Sequence, residues 1–157
     1  MATIEYRASL DLFVHHTDDR VEHFNYNVDN FEVDGGAVRK ISLGSASEPL
    51  INNELEQART HKNLIFYLKS NNRHSTSKII DLFKSGVKIF NAYFYIKGYE
   101  KAQKQPSRVK NLIAKSSFLE APIPIGATPP SLKVKLSLNQ IEFYQGGYNE
   151  KGDLEFN

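Results

Sequence analysis

Five histidines are the first residues whose chemistry needs placing: His15, His16, His23, His61 and His74. The first three are close enough in sequence to share a metal, but no carboxylate stands at a diagnostic spacing and H-E-x-x-H is absent. They read as turn and strand-end histidines. Two pairs of carboxylates, Asp18-Asp19 and Glu54/Glu56, could divide acid and base roles if burial drove their pKa values apart. Both lie in polar segments, so solvated surface carboxylates are the plainer reading. The glycine pairs Gly35-Gly36 and Gly146-Gly147 lack the flanking pattern of a phosphate loop, and there is no G-x-S-x-G elbow. With no cysteine in the 157 residues, disulfides, thiolate zinc sites and a thiol nucleophile are excluded. No catalytic, cofactor or metal constellation emerges, and the chain reads as a non-enzyme.

One basic-aromatic cluster remains. Lys97, Lys101, Lys104, Arg108 and Lys110 surround a polar connection, with Tyr93, Tyr95 and Tyr99 beside them. Cations interleaved with aromatic rings suit single-stranded nucleic acid. Against that stands a formal net charge of only +2, from 20 Lys/Arg and 18 Asp/Glu. Dedicated nucleic-acid binders carry a clustered excess, so nucleic acid is not the expected partner.

Strands must position these residues. From Met1 to Val14, Ile4, Tyr6, Ala8, Leu10, Leu12 and Val14 share one parity and polar residues take most of the other. That period of two marks a strand buried on one face and leaves no apolar run for a signal peptide or membrane helix. Further strands are expected over Arg20–Val28, Val38–Leu43, Leu64–Leu68, Val87–Lys97, Val109–Leu119 and Leu132–Tyr144. Both faces of Val87–Lys97 are apolar or aromatic, so that strand is expected to be covered twice. The parity change between Leu138 and Ile141 predicts a β-bulge near Asn139-Gln140. One short helix follows Ser75 or Ser77 as cap, with Ile79, Ile80, Leu82 and Phe83 as its stripe and Gly86 closing it. Gly44–Lys62 shows no clean period and reads as a long loop, with a short helix at Asn53–Ala58 as the alternative. The prolines of Ala121–Pro130 predict a loop, and Gly146-Gly147 a turn. The expectation is one domain over residues 1–157. Its class is mainly β: a small β-barrel of two antiparallel sheets with one short α-helix.

The order of these segments resembles the haemolysin-coregulated protein (Hcp) family, the tube protein of type VI secretion. Arg59-Thr60-His61 is similar to an R-x-H ending the family's long loop. Asn63-Leu64-Ile65-Phe66-Tyr67-Leu68-Lys69 resembles a P-F-x-F-x-K strand, with Asn63 where proline is frequent. Ser75 to Gly86 resembles the S-S-P-x-L-x-x-A-x-x-x-G helix, Ala92 to Ile96 the aromatic strand after it, and Leu132 to Tyr144 the closing strand. The chain thus resembles a divergent member.

The resemblance implies a structural subunit with no active site, forming six-membered rings that stack into a tube. Its partners would be other copies, a sheath, a spike and carried effectors, with no membrane and no cofactor. Location would be the bacterial cytoplasm, then export by the type VI machine without a signal peptide. Glu48, Asn52, Glu54, Arg59 and His61 become candidates for ring stacking through the long loop. Ile89, Tyr93 and Tyr95 become candidates for the interface within a ring. The alternative is a monomeric β-barrel binding a small ligand or single-stranded nucleic acid.

Overall fold

A computed structural model describes residues 4–36, 40–70, 75–100, 106–120, 122–125, 131–148, 151 and 153–156. Parts of the expected segments, including Val38, His74, Lys101, Lys104, Ala121, Pro129 and Pro130, lie outside the described residues.

The first hairpin pairs β1 (Ile4–His15) with β2 (Val21–Glu32), in a register that sets Leu10 opposite Tyr26 and Leu12 opposite Phe24. Alternation does the work foreseen for it: Tyr6, Leu10, Leu12 and Val14 are buried. Of the third expected strand, the described residues 40–43 contain the two-residue β3 (Ile41–Ser42). Next come β4 (Asn63–Lys69), β5 (Ile89–Glu100), β6 (Arg108–Leu119) and β8 (Ser131–Ser137). Strands β5, β1, β2, β4 and β8 run side by side, and the β6–β8 pairing of Leu119 with Leu136 closes six strands into an antiparallel barrel. Phe94 is the hub of its core, with Phe31 and Phe66 edge-on at 5.3 and 4.8 Å.

The Gly44–Lys62 loop is corrected by the structure. Residues Glu48–His61 form a helix of fourteen residues, α1. The Ser47 side chain accepts a hydrogen bond from Leu50 N at 3.4 Å, proline stands in the first turn, and Lys62 ends the helix in a left-handed conformation (φ 57°). Its buried stripe is Ile51, Glu54, Leu55 and Ala58. The alternative short helix at Asn53–Ala58 lies inside α1; a glutamate in the second of four buried positions leaves only three apolar residues to mark the period, and this hid the full length of the helix. The stacking candidates Glu48, Asn52, Glu54, Arg59 and His61 therefore stand on a packed helix and not on a free loop.

The second helix, α2 (Ser77–Lys84), is the one foreseen. Gly86 (φ 96°) closes it: Gly86 N donates to Phe83 O at 3.1 Å and Val87 N to Leu82 O at 3.0 Å. The N-cap position falls to Thr76, while the Ser75 and Ser77 hydroxyls bond each other at 2.7 Å.

Two further expectations change. Within Ala121–Pro130 a short edge strand, β7 (Ile123–Ile125), pairs with β8, and Pro124 is accommodated because the outer edge needs no donor. Gly146-Gly147 is not a turn but part of β9 (Ile141–Tyr148), which pairs with β6 and with β10 (Leu154–Phe156). A Cβ on Gly147 would lie 2.4 Å from the Ser107 carbonyl oxygen, so glycine permits the close approach.

The break at Asn139-Gln140 is present, with Gln140 at φ 47°. Its counterpart lies in β6, where Lys115 and Ser116 together oppose Asn91 and Ser116 N donates to Asn91 Oδ1 at 3.0 Å. Between β6 and the β8–β9 strand the register is the same on both sides of the break, with Phe118 opposite Ser137 and Ala114 opposite Ile141.

Candidate assembly surfaces

Helix α1 is fastened to the barrel at its N-terminus by charge. Glu48, in the first turn, meets Lys110 Nζ at 3.2 Å and Arg108 Nε at 3.3 Å, and accepts from Tyr6 OH at 3.3 Å. The Lys110 side chain is 3% exposed and also reaches Gln145 Oε1 at 3.2 Å. Burial pushes the Glu48 carboxyl up, but the Lys110 hydrogen bond and the Lys110 and Arg108 charges outweigh it and hold the group below the usual carboxylate range. The Tyr6 phenol is pushed up to about 12 by burial and by the Glu48 charge.

Midway along α1, Glu54 is 0% exposed, and no side chain among the described residues donates a hydrogen bond to its carboxylate. Burial raises its pKa, against a backbone hydrogen bond from Val33 that lowers it, and the Glu32 charge adds to the rise. It packs under the turn after β2: a Cβ on Gly36 would come within 2.9 Å of its Oε1. The Asn52 side-chain oxygen is likewise buried and unpartnered.

At the other end Arg59 and His61 are exposed. Arg59 pairs with Glu56 at 2.9 Å and lies 6.0 Å from the centre of the Phe143 ring. It lines an open cleft of about 460 Å³ between α1 and the break before β9. Asn63 secures this end: its Oδ1 accepts from Asp34 N at 2.8 Å, and its Nδ2 donates to Asp34 O at 3.1 Å and to His61 O at 3.3 Å. The five α1 candidates thus divide among an N-terminal clamp, a buried midpoint and an exposed C-terminal end. They form no single cluster.

The outward face of the barrel carries the other set. On β5, Phe90, Ala92, Phe94 and Ile96 fill the core, while Tyr93 and Tyr95 are half-buried on the opposite side. Ile89 on that outward side is 53% exposed, so the strand is covered once within the subunit and not twice. Directly across the ladder from Ile89 is Phe118, 45% exposed. Elsewhere on the outward face Val21, 51% exposed, is paired with the exposed His15. Ile89 and Phe118 therefore form one exposed apolar pair across β5 and β6.

In the next row the Phe13 ring stacks on His23 at 4.4 Å and meets Tyr93 edge-on at 5.3 Å. Asp11 fixes this layer, taking His23 Nε2 and Asn25 Nδ2, each at 2.7 Å. Tyr95, opposite Asn111, has its phenol pKa raised by burial and by the Asp11 charge. His16 is engaged elsewhere, 2.6 Å from Glu22. His15, His16 and His23 do not converge, and among the described residues no group of three or more metal-ligating side chains is assembled.

Sequence reasoning reached Ile89, Tyr93 and Tyr95 but missed Val21 and Phe118. Simple alternation from Leu112 and Ala114 points Phe118 inward. The extra residue at Lys115-Ser116 reverses this, burying Ser117 and Leu119 and turning Phe118 out. A polar Lys-Ser-Ser interruption within an apolar strand was the available signal. No protein-family model, curated protein or solved structure matches this chain.

Proposed function

We propose that this chain is a structural subunit that assembles into stacked rings, a tube protein of a type VI secretion or related contractile injection system. The observation that carries the reading is a closed barrel presenting a cross-strand pair of exposed apolar side chains, Ile89 and Phe118, on its outward face. Neighbouring subunits would remove such a pair from water. The segment order that resembles the Hcp family supports the same assembly, with rings of about six copies. In this reading the exposed end of α1, with Arg59 and His61, replaces a free loop as the element offered to an adjacent ring. Glu48 and Glu54 act within the subunit by seating that helix. The tube would be expelled from the bacterial cytoplasm with sheath, spike and effectors as partners. Negative-stain imaging of the purified protein tests this. Annular particles or tubes are expected; uniform particles of the size of one barrel at high concentration would contradict it.

A specific groove favours a second reading, a monomeric binding module. Ser9, Asp11, Asn25, Tyr95, Lys97, Val109 and Tyr148 line a concavity of about 360 Å³ on the outward face. It contains part of the basic-aromatic cluster noted in the sequence. Salt-dependent binding of single-stranded oligonucleotides to a monomer, lost in Tyr95→Ala, would favour this reading over the tube.

A further inference from the structure

Five strands carry one continuous row of outward side chains: Asn27 on β2, Ser9 on β1, Tyr95 on β5, Asn111 on β6 and Tyr144 on β9. With strands spaced by ~4.8 Å, the row is roughly 19 Å long. The row on one side of it holds Asn25, Asp11 and Tyr93. The row on the other holds Lys97, Val109 and Gly146. Gly146 adds no side chain beside Val109, which leaves a gap between Tyr144 and Tyr148, its neighbours on the same side of β9. Val109 is the buried floor of the outward concavity of about 360 Å³, and Tyr95, Lys97 and Tyr148 are among its walls. That volume suits a small-ligand cleft.

We propose that this groove binds a neutral oligosaccharide, with a sugar ring lying against Tyr95 and Tyr148 and its hydroxyls held by Asp11, Asn25 and Lys97. This rests on the second reading above, the binding module, and gives its groove a ligand class.

Charge selects the ligand. A single strand of nucleic acid calls for an excess of cations along its phosphates. The groove offers one ammonium, Lys97, against one carboxylate, Asp11. Arg7, the cross-strand neighbour of Lys97, is engaged by the Tyr99 ring at 5.1 Å and by Glu5 at 3.6 Å. A balanced lining suits an uncharged polyol. Sugar hydroxyls both donate and accept, and the groove presents both kinds of partner: a carboxylate that accepts, an ammonium and an amide that donate. The tyrosine rings beside them offer apolar faces to the C–H side of a sugar ring.

The polar groups are also held in place before any ligand arrives. Asp11 Oδ1 fixes His23 and Asn25 at 2.7 Å each, and Asn111, 6% exposed, hydrogen-bonds the Tyr95 phenol. Such preorganisation lowers the ordering cost of binding. The Asn111 side-chain oxygen is buried with no hydrogen-bond partner among the described residues. A ligand hydroxyl entering beside Tyr95 would supply one.

Cellohexaose, maltohexaose, fully N-acetylated chitohexaose and oligodeoxythymidine are titrated separately into the isotope-labelled protein and followed by the amide spectrum. Saturable binding of at least one of the three sugars is expected, with shifts centred on Ser9, Asp11, Tyr95 and Val109. Its affinity is expected to change less than about twofold between ~50 and ~200 mM salt. Tyr148→Ala is expected to weaken it by about tenfold or more, with an unchanged thermal midpoint showing that the variant folds. Shifts centred elsewhere, or a folded Tyr148→Ala protein that binds as well as the parent, would overturn the site. Oligodeoxythymidine binding at these residues with a steep salt dependence, and no sugar binding, would overturn the ligand class and leave the binding-module reading standing. No binding by any of the four would overturn both.

Discussion

Ile89 and Phe118 face each other across the β5–β6 ladder, both about half exposed, the second pair beyond the bulge at Lys115-Ser116. Without that extra residue Phe118 would point into the core. The bulge is therefore the local feature that turns Phe118 outward beside Ile89.

That bulge holds Ser116 at φ 54° and exposed, a conformation glycine adopts without strain. Ser116→Gly is expected to stabilise the fold by up to about 1 kcal/mol, read as a higher urea midpoint with unchanged slope. Asn91→Ala removes the acceptor for Ser116 N and is expected to cost about 1 kcal/mol. A neutral result for Asn91→Ala would mean the bulge is held by the ladder alone.

The clamp at the start of α1 predicts an order of effects. Glu48→Ala leaves the Lys110 ammonium buried with only Gln145 as its remaining named partner, at a cost of about 3 kcal/mol. Lys110→Met leaves Glu48 partly exposed and still beside Arg108, so the loss is smaller, about 1–2 kcal/mol. Chemical denaturation of the two variants settles the order. Faster amide exchange confined to the first turns of α1 is expected in both.

Glu54 makes a prediction in pH. Its folded-state pKa is raised by burial, so the folded state holds its proton more tightly than the unfolded chain does. Its contribution to stability is therefore complete at acidic pH and declines as pH rises from the ordinary carboxylate range through the raised value. Glu54→Gln removes the titration. The stability of the variant relative to the parent should be flat below that window, rise across it and flatten above it. A difference that does not change with pH would show that the carboxyl is not held protonated by its site.

Gly147→Ala is expected to cost about 2 kcal/mol, because the added methyl would meet the Ser107 carbonyl oxygen at 2.4 Å. The thermal midpoint of the variant measures this. A midpoint equal to that of the parent would mean that β9 can move away freely.

Much of this architecture was legible in the sequence, and the illegible parts share a cause. Strands buried on one face alternate plainly, so β1, β2, β5 and β8 were found with their inward residues. Helix α2 announced itself through a compact apolar stripe and Gly86. Helix α1 did not, because Glu54 occupies a core-facing position that pattern reading treats as solvent. The outward apolar pair was half visible: Ile89 shares its parity with Tyr93 and Tyr95, a second apolar face that reads as covered, but Phe118 owes its direction to a bulge that simple alternation does not anticipate. Gly146 and Gly147 looked like a turn, whereas Gly147 serves a close approach to Ser107 that only the folded arrangement creates.

The most direct measurement is the mass of the unmodified protein by light scattering over a wide concentration range, beside Ile89→Ser/Phe118→Ser. The account predicts a parent several times the 17.9 kDa of one chain, about sixfold for a complete ring, and a variant shifted toward 17.9 kDa. A parent that stays at 17.9 kDa at every concentration would contradict it.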